Sequence, residues 1–249
     1  MKRRTFATLS LLGLVLPLVT EPVHAQPAER PAPAPRIASS QVGADEIVSY
    51  VESVYNPIKV LRASFKQRYI IKAYDKTVDS SGSVIFEKPG KMSWFYTNGN
   101  RIVSDSKLIK VYENDNKQMY VQPLGNTPYA AVLAFLTGQG SLKQGFKLTR
   151  MSSTQMKYPT GYVLRGVPLQ PTDACHEVYF YVDHWTQEVR RVLIVDEQGN
   201  RNRFDFGSLH AVTTVAPQTF AFTPPPGTRV VQPPTPPLVP SRQVNIDTP

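Results

Sequence analysis

From residue 65 onward, apolar residues fall in short runs punctuated by turn residues. The runs span 65–74, 82–88, 91–97, 101–105, 107–113 and 117–122, then 146–151, 161–167, 176–183, 188–196, 201–207 and 209–215. Val, Ile, Tyr and Phe dominate them, and Ser81-Gly82, Pro89-Gly90, Asn98-Gly99 and Gln198-Gly199-Asn200 lie between. Many short, evenly spaced runs predict one curved antiparallel sheet or barrel rather than a parallel α/β fold. Two stretches have a different period. Ile47, Val48, Val51, Val54 and Tyr55 recur on one helical face, with Glu46 and Glu52 elsewhere. Asp45 is the expected N-cap of that helix, and Asn56-Pro57 its stop. A second helix is expected over 128–137, where Pro128 stands at the position that opens a helix.

Several strands are more apolar than a sheet with one wet face requires. Met92, Trp94 and Tyr96 share one face of their strand, and Val178-Tyr179-Phe180-Tyr181-Val182 carries large apolar bodies on both. Either helices cover the second side, or the sheet curls around an apolar cavity.

The two ends have another texture. Lys2, Arg3 and Arg4 precede a short apolar run from Phe6 to Val19, and Val23-His24-Ala25 supplies a signal-peptidase site. Residues 1–25 therefore read as a signal peptide cleaved after Ala25. Arg3-Arg4-Thr5-Phe6 leaves export by the general or the twin-arginine route open. The residue directly after the cleavage site is Gln26 rather than cysteine, so no lipid anchor is expected on the mature chain. A Pro/Ala-rich linker follows over 26–43, and a Pro-rich tail occupies 232–249. The folded domain is expected over 44–231. With 41% hydrophobic and 19% charged residues, such a chain folds rather than staying disordered.

Removing Lys2, Arg3, Arg4 and Glu21 lowers the net charge from +9 to +7. The remaining cations are scattered, and export argues against nucleic acid as the partner. Catalytic signatures are missing: no HExxH, GxSxG, Walker A or EF-hand pattern occurs. Cys175 is the single cysteine, which rules out an internal disulfide. Cys175, His176 and His184 make a poor metal site without a carboxylate cluster. Gly138-Gln139-Gly140 lacks phosphate-loop spacing and reads as a helix C-cap and loop. The residues call for no enzyme, cofactor or metal.

The run Phe86-Glu87-Lys88-Pro89-Gly90-Lys91-Met92-Ser93-Trp94-Phe95-Tyr96 resembles the signature of the LolA family of periplasmic lipoprotein carriers. Ala63-Ser64-Phe65-Lys66-Gln67 resembles the family's first strand, Ser104-Asp105-Ser106-Lys107 its Ser-Asp-Gly-Lys turn, and Gly125-Asn126-Thr127-Pro128 the start of its inserted helix. Asp196-Glu197-Gln198-Gly199-Asn200 with Phe204 and Phe206 resembles a late strand pair, and 220–228 the closing segment. These motifs keep the family's order across about residues 45–231.

The resemblance implies a mainly β chain with a few helices: a single unclosed antiparallel β-barrel, covered by a helical lid and enclosing an apolar cavity. It implies a cavity lined by Phe65, Phe86, Met92, Trp94, Tyr96, Leu133 and Leu136. The family often carries an arginine just before the signature proline; Lys88 stands there and is the candidate lid latch. Ser106 replaces a common turn glycine, so a different turn type is expected. The implied activity is that of a periplasmic carrier without enzymatic function, taking acylated lipoproteins from the inner to the outer membrane. Its implied partners are a LolCDE-type ABC transporter that loads it and a LolB-type receptor or equivalent that unloads it; a monomer is expected. The alternative is the same fold binding another lipid or glycolipid, or acting in envelope-stress sensing.

Overall fold

The computed structural model describes residues 42–124, 136–138, 140–170 and 174–231. Helix α1 (Ala44–Tyr55) is followed by strands β1 (Val60–Ile71), β2 (Lys76–Glu87), β3 (Lys91–Tyr96), β4 (Arg101–Asp105), β5 (Leu108–Glu113) and β6 (Gln118–Pro123). A short α2 (Leu142–Gly145) leads into β7 (Phe146–Met151), β8 (Gly161–Pro168), β9 (Glu177–Asp183), β10 (Val189–Val195), β11 (Arg201–Phe206), β12 (His210–Val212) and β13 (Arg229–Val231). The strand order is β13-β6-β5-β4-β3-β2-β1-β11-β10-β9-β8-β7. Two antiparallel meanders, β1–β6 and β7–β11, are thus joined where β1 pairs with β11. No pairing joins β7 back to β6 or β13 among the described residues, so the sheet is unclosed, as the resemblance implies.

Strand β1 holds the two halves together. Its first residues, Val60–Arg62, pair with β12, and Phe65–Ile70 pair with β11 on the same side. Gly207 bridges the change of partner by donating its N–H to the Ser64 carbonyl at 2.9 Å. A Cβ at Gly207 would lie 2.2 Å from Ser64 Oγ, so a side chain there would turn the Ser64 hydroxyl aside.

Alternation along the strands sorts the side chains. Leu61, Ala63 and Phe65 are buried, whereas Arg62, Ser64 and Lys66 are exposed. The main core lies on the concave face, and α1 covers it with Ile47, Val48, Val51 and Tyr55, all essentially inaccessible. Val54 is only half-buried.

Some local expectations need correction. The residue before α1 is Gly43, and Asp45 falls in the first turn, where its carboxylate pairs with Lys143 at 2.9 Å and favours the helix dipole. Strand β2 begins at Lys76, six residues before the predicted run, because ladder bonds to β1 extend to the hairpin tip although Lys76-Thr77-Val78-Asp79 are exposed. Of the run 209–215 only His210–Val212 is strand, and β13, parallel to β6, was not expected. Ser106 adopts a left-handed backbone, φ +86°, the region that favours glycine. That conformation costs a non-glycine residue about 1 kcal/mol or more. Ser106→Gly should raise the thermal midpoint by roughly 2–4 °C, read by scanning calorimetry.

Candidate functional site

The candidate site is the concave face. Trp94, only 3% exposed, is its hub. Its indole meets Phe86 edge-on at 5.7 Å between ring centres, Phe65 at 4.9 Å, Phe204 at 5.4 Å and Phe206 at 6.2 Å. Tyr96 lies edge-on to Phe65 at 4.9 Å. The register explains the grouping, since Phe65 stands opposite Phe206 on β11, and Trp94 is two residues from Met92, which stands opposite Phe86. The structure therefore brings together Phe65, Phe86, Met92, Trp94 and Tyr96, and Leu136 joins the same core. Leu133 lies outside the described residues. Phe204 and Phe206 were missing from the expected lining, although the alternation Arg203-Phe204-Asp205-Phe206 signalled an inward pair.

Gly82 makes room for these rings. It stands opposite both Phe65 and Tyr96, and a Cβ there would come 1.9 Å from the Phe95 carbonyl oxygen and 3.0 Å from the Phe65 ring. Because the first obstacle is backbone, the strand itself would have to move. Gly82→Ala should cost about 1–3 kcal/mol, read from the urea midpoint.

Phe95 points the other way. It packs with Val60, Ile85 and Phe220 in a small outer cluster, and the Arg101 guanidinium lies 3.8 Å from its ring centre.

Lys88 reaches from the end of β2 to the C-terminus of α1. Its ammonium donates to the carbonyl oxygens of Tyr55 at 2.7 Å and Asn56 at 3.3 Å. A helix C-terminus leaves such carbonyls without intrahelical donors and carries partial negative charge, so a lysine fits it. Burial lowers the Lys88 pKa from its ordinary value. Its stem passes beside Gly138, where a Cβ would lie 2.7 Å from Lys88 Cδ. Gly138 follows helical Leu136 and Thr137 with φ +67°, in keeping with a helix C-cap. Gly90 donates its N–H to the Thr137 carbonyl at 2.8 Å. The segment Lys88-Pro89-Gly90, with a cis Lys88-Pro89 bond, thus touches both covering segments.

Further contacts hold α1 down. Val189 N–H donates to the buried Tyr55 hydroxyl at 3.1 Å, and burial raises the Tyr55 pKa. Ser141 Oγ donates to the Glu52 carboxylate. At the other end, the Arg150 guanidinium donates to the Val42 carbonyl.

The remaining chemistry-bearing residues are dispersed into separate contacts. His176 meets Glu197 at 3.2 Å, His184 meets the Tyr162 hydroxyl at 2.9 Å, and burial pushes the Cys175 thiol up to about 11. Among the described residues no group of three or more His, Cys, Asp or Glu is placed to hold a metal ion.

The fold is an unclosed antiparallel barrel whose aromatic inner face lies under helix α1. The family model described as "Outer membrane lipoprotein carrier protein LolA" matches residues 56–223, and the chain belongs to that family. Similar relatives include outer-membrane lipoprotein carrier proteins of two bacteria. That of Nitrosomonas europaea is 26% identical, with 74% of this chain and 88% of the relative covered. That of Methylibium petroleiphilum is 28% identical, with 70% and 83% covered. Among solved structures, a LolA superfamily protein from Nitrosomonas europaea is similar at a TM-score of 0.43 and 11% identity, over 73% of this chain and 98% of that one.

Proposed function

We propose that this protein is a periplasmic carrier that shields the acyl chains of lipoproteins between the inner and outer membranes. The observation that supports this most is the ring cluster around Trp94 under a helix whose C-terminus is held by Lys88. The covered face offers apolar surface, and α1 is the element that must move to admit a chain. Each buried methylene is worth about 0.8 kcal/mol, so three acyl chains of about fifteen methylenes represent on the order of 36 kcal/mol. Such cargo leaves a membrane only when an apolar shelter and an energy source are supplied together. A LolCDE-type transporter would load the carrier and a LolB-type receptor or equivalent would accept the cargo. The carrier performs no bond chemistry in this reading.

Export follows from the charged start and the Val23-His24-Ala25 site. N-terminal sequencing of periplasmic material should begin at Gln26; a membrane-bound product retaining Met1 would contradict the carrier role. Mass spectrometry of the protein purified from periplasm without detergent tests the cargo. Acylated protein is expected, whereas free phospholipid or glycolipid alone would favour the same fold serving another ligand.

A further inference from the structure

We infer that the outer face of the sheet across β2, β1, β11 and β10 docks on a bilayer surface carrying anionic phospholipids, whose phosphate groups it binds. This face lies on the opposite side of the sheet from the Trp94 cluster, and the carrier reading gives it no role. Phe65, Phe204 and Phe206 are core rings, so alternation turns Lys66, Arg203 and Asp205 outward. Between Lys66 and Ile70 on β1, and at the partner positions of the neighbouring strands, the outward cations are Lys66, Arg68, Arg191, Arg201 and Arg203. The outward carboxylates there are Asp79 and Asp205. Five cations against two carboxylates leave this face at +3.

Arg68 stands directly opposite Arg203, and like charges so placed repel. Asp79 holds Arg68 through two hydrogen bonds of 2.8 Å, while Asp205 is shared by Arg191 and Arg203. Two carboxylates thus serve three guanidinium groups. Lys66 and Arg201 are both exposed and have no carboxylate partner among the described residues. Arg203 Nε lies 2.7 Å from Asp205 Oδ2, yet its buried N–H is not aimed at an acceptor. Along these groups runs a groove of about 400 Å³, lined by Lys66, Arg68, Ser81, Thr97 and Arg203 among others. Guanidinium and ammonium donors grouped in this way suit a phosphate, which accepts several charge-assisted hydrogen bonds at once.

The tip of the β1–β2 hairpin selects a bilayer over a soluble anion. Residues 72–79 are exposed, and Tyr74 is 81% exposed. Lys72 N–H donates to Asn200 Oδ1 at 2.9 Å, which ties the tip to the turn before Arg201. Tyr74 is therefore held at the end of the cationic face, between Lys72 and Lys76, with Asp75 the one acidic group in that stretch. On the adjoining turn Asp196 accepts from Asn200, and Glu197 meets His176. A tyrosine fits the boundary of a bilayer, where its ring meets apolar surface and its hydroxyl stays wet. The negative potential of an anionic leaflet attracts the flanking cations. A free phosphate in the groove would satisfy the arginines and leave Tyr74 untouched.

The test is co-sedimentation of the full chain with vesicles of phosphatidylcholine, alone or with one-quarter phosphatidylglycerol. Binding to the anionic vesicles should be about tenfold stronger or more, and should fall as sodium chloride is raised. Each cation near such a surface changes partitioning about fivefold, so Lys66→Gln combined with Arg201→Gln should weaken binding roughly twentyfold. Neither change breaks an ion pair, and both leave the Trp94 face intact, so the result is independent of the carrier reading. Tyr74→Ser should weaken binding severalfold. Lys107→Gln combined with Lys147→Gln removes the same charge from the β4–β5 turn and from β7. That control should alter binding by less than about twofold, because screening isolates distant charges. Equal binding to both kinds of vesicle, or equal losses in the two double variants, would overturn the docking face. Saturable binding of inorganic phosphate without binding to vesicles would overturn the bilayer as its partner.

Discussion

Trp94→Asp is expected to lower retention of a fluorescent acyl ligand at least tenfold, while Phe95→Asp retains it close to the wild-type level. The residues are adjacent, so composition and local sequence context are almost identical. What separates them is the strand's period of two. Trp94 touches Phe65, Phe86, Phe204 and Phe206 on the inner face, whereas Phe95 faces the outer cluster with Arg101 over its ring. A carboxylate at position 94 would stand among rings that offer it no hydrogen bond, which costs several kcal/mol or forces it to stay protonated. At position 95 it would stand beside the Arg101 guanidinium instead. Circular dichroism establishes that each variant folds before ligand is added, and Trp94→Leu keeps the comparison interpretable if the aspartate variant does not fold. Equal losses, or a larger loss at position 95, would place the ligand on the outer face.

Lys88→Leu is expected to shift the resting protein toward an open form. Hydrogen bonds from a charged donor contribute about 1.5–3 kcal/mol, and 1.4 kcal/mol is a tenfold change in an equilibrium. Losing the contacts to the Tyr55 and Asn56 carbonyls should raise the open population at least tenfold. The empty variant should then bind an apolar dye more strongly than wild type. It should accept cargo and release it slowly to acceptor-containing membranes, because closing of α1 no longer helps to expel the chains. Lys88→Arg keeps the charge and adds a planar fork of donors, so it should bind less dye than the leucine variant. Identical release from all three proteins would make Lys88 an ordinary strand-end lysine.

Local periodicity made part of this legible. The inward face of α1 and the division between Trp94 and Phe95 both follow from spacing alone. Lys88 was singled out by resemblance, and its bonds to the end of α1 give that position a physical role. The partnership of β1 with β11 was harder to see, because it joins residues more than 130 positions apart and no local pattern encodes it. For the same reason Phe204 and Phe206 were assigned to a strand pair but not to the lining. The first half of β2 was missed because its ladder runs through exposed, mostly polar residues that carry no burial signal. Strand β13 is three residues of parallel pairing at an edge, too short for any period to show.

In the proposed carrier, acyl chains enter beside Trp94, beneath α1. A triacylated lipopeptide with brominated chains tests it directly, since bromine quenches indole emission only at close range. Trp94, enclosed by aromatic rings, and the half-exposed Trp185 emit from different environments and are resolved by acrylamide accessibility. Loading should extinguish the shielded Trp94 emission and leave the accessible Trp185 component in place. Binding of the lipopeptide with Trp94 emission unchanged, or with Trp185 alone quenched, would contradict it.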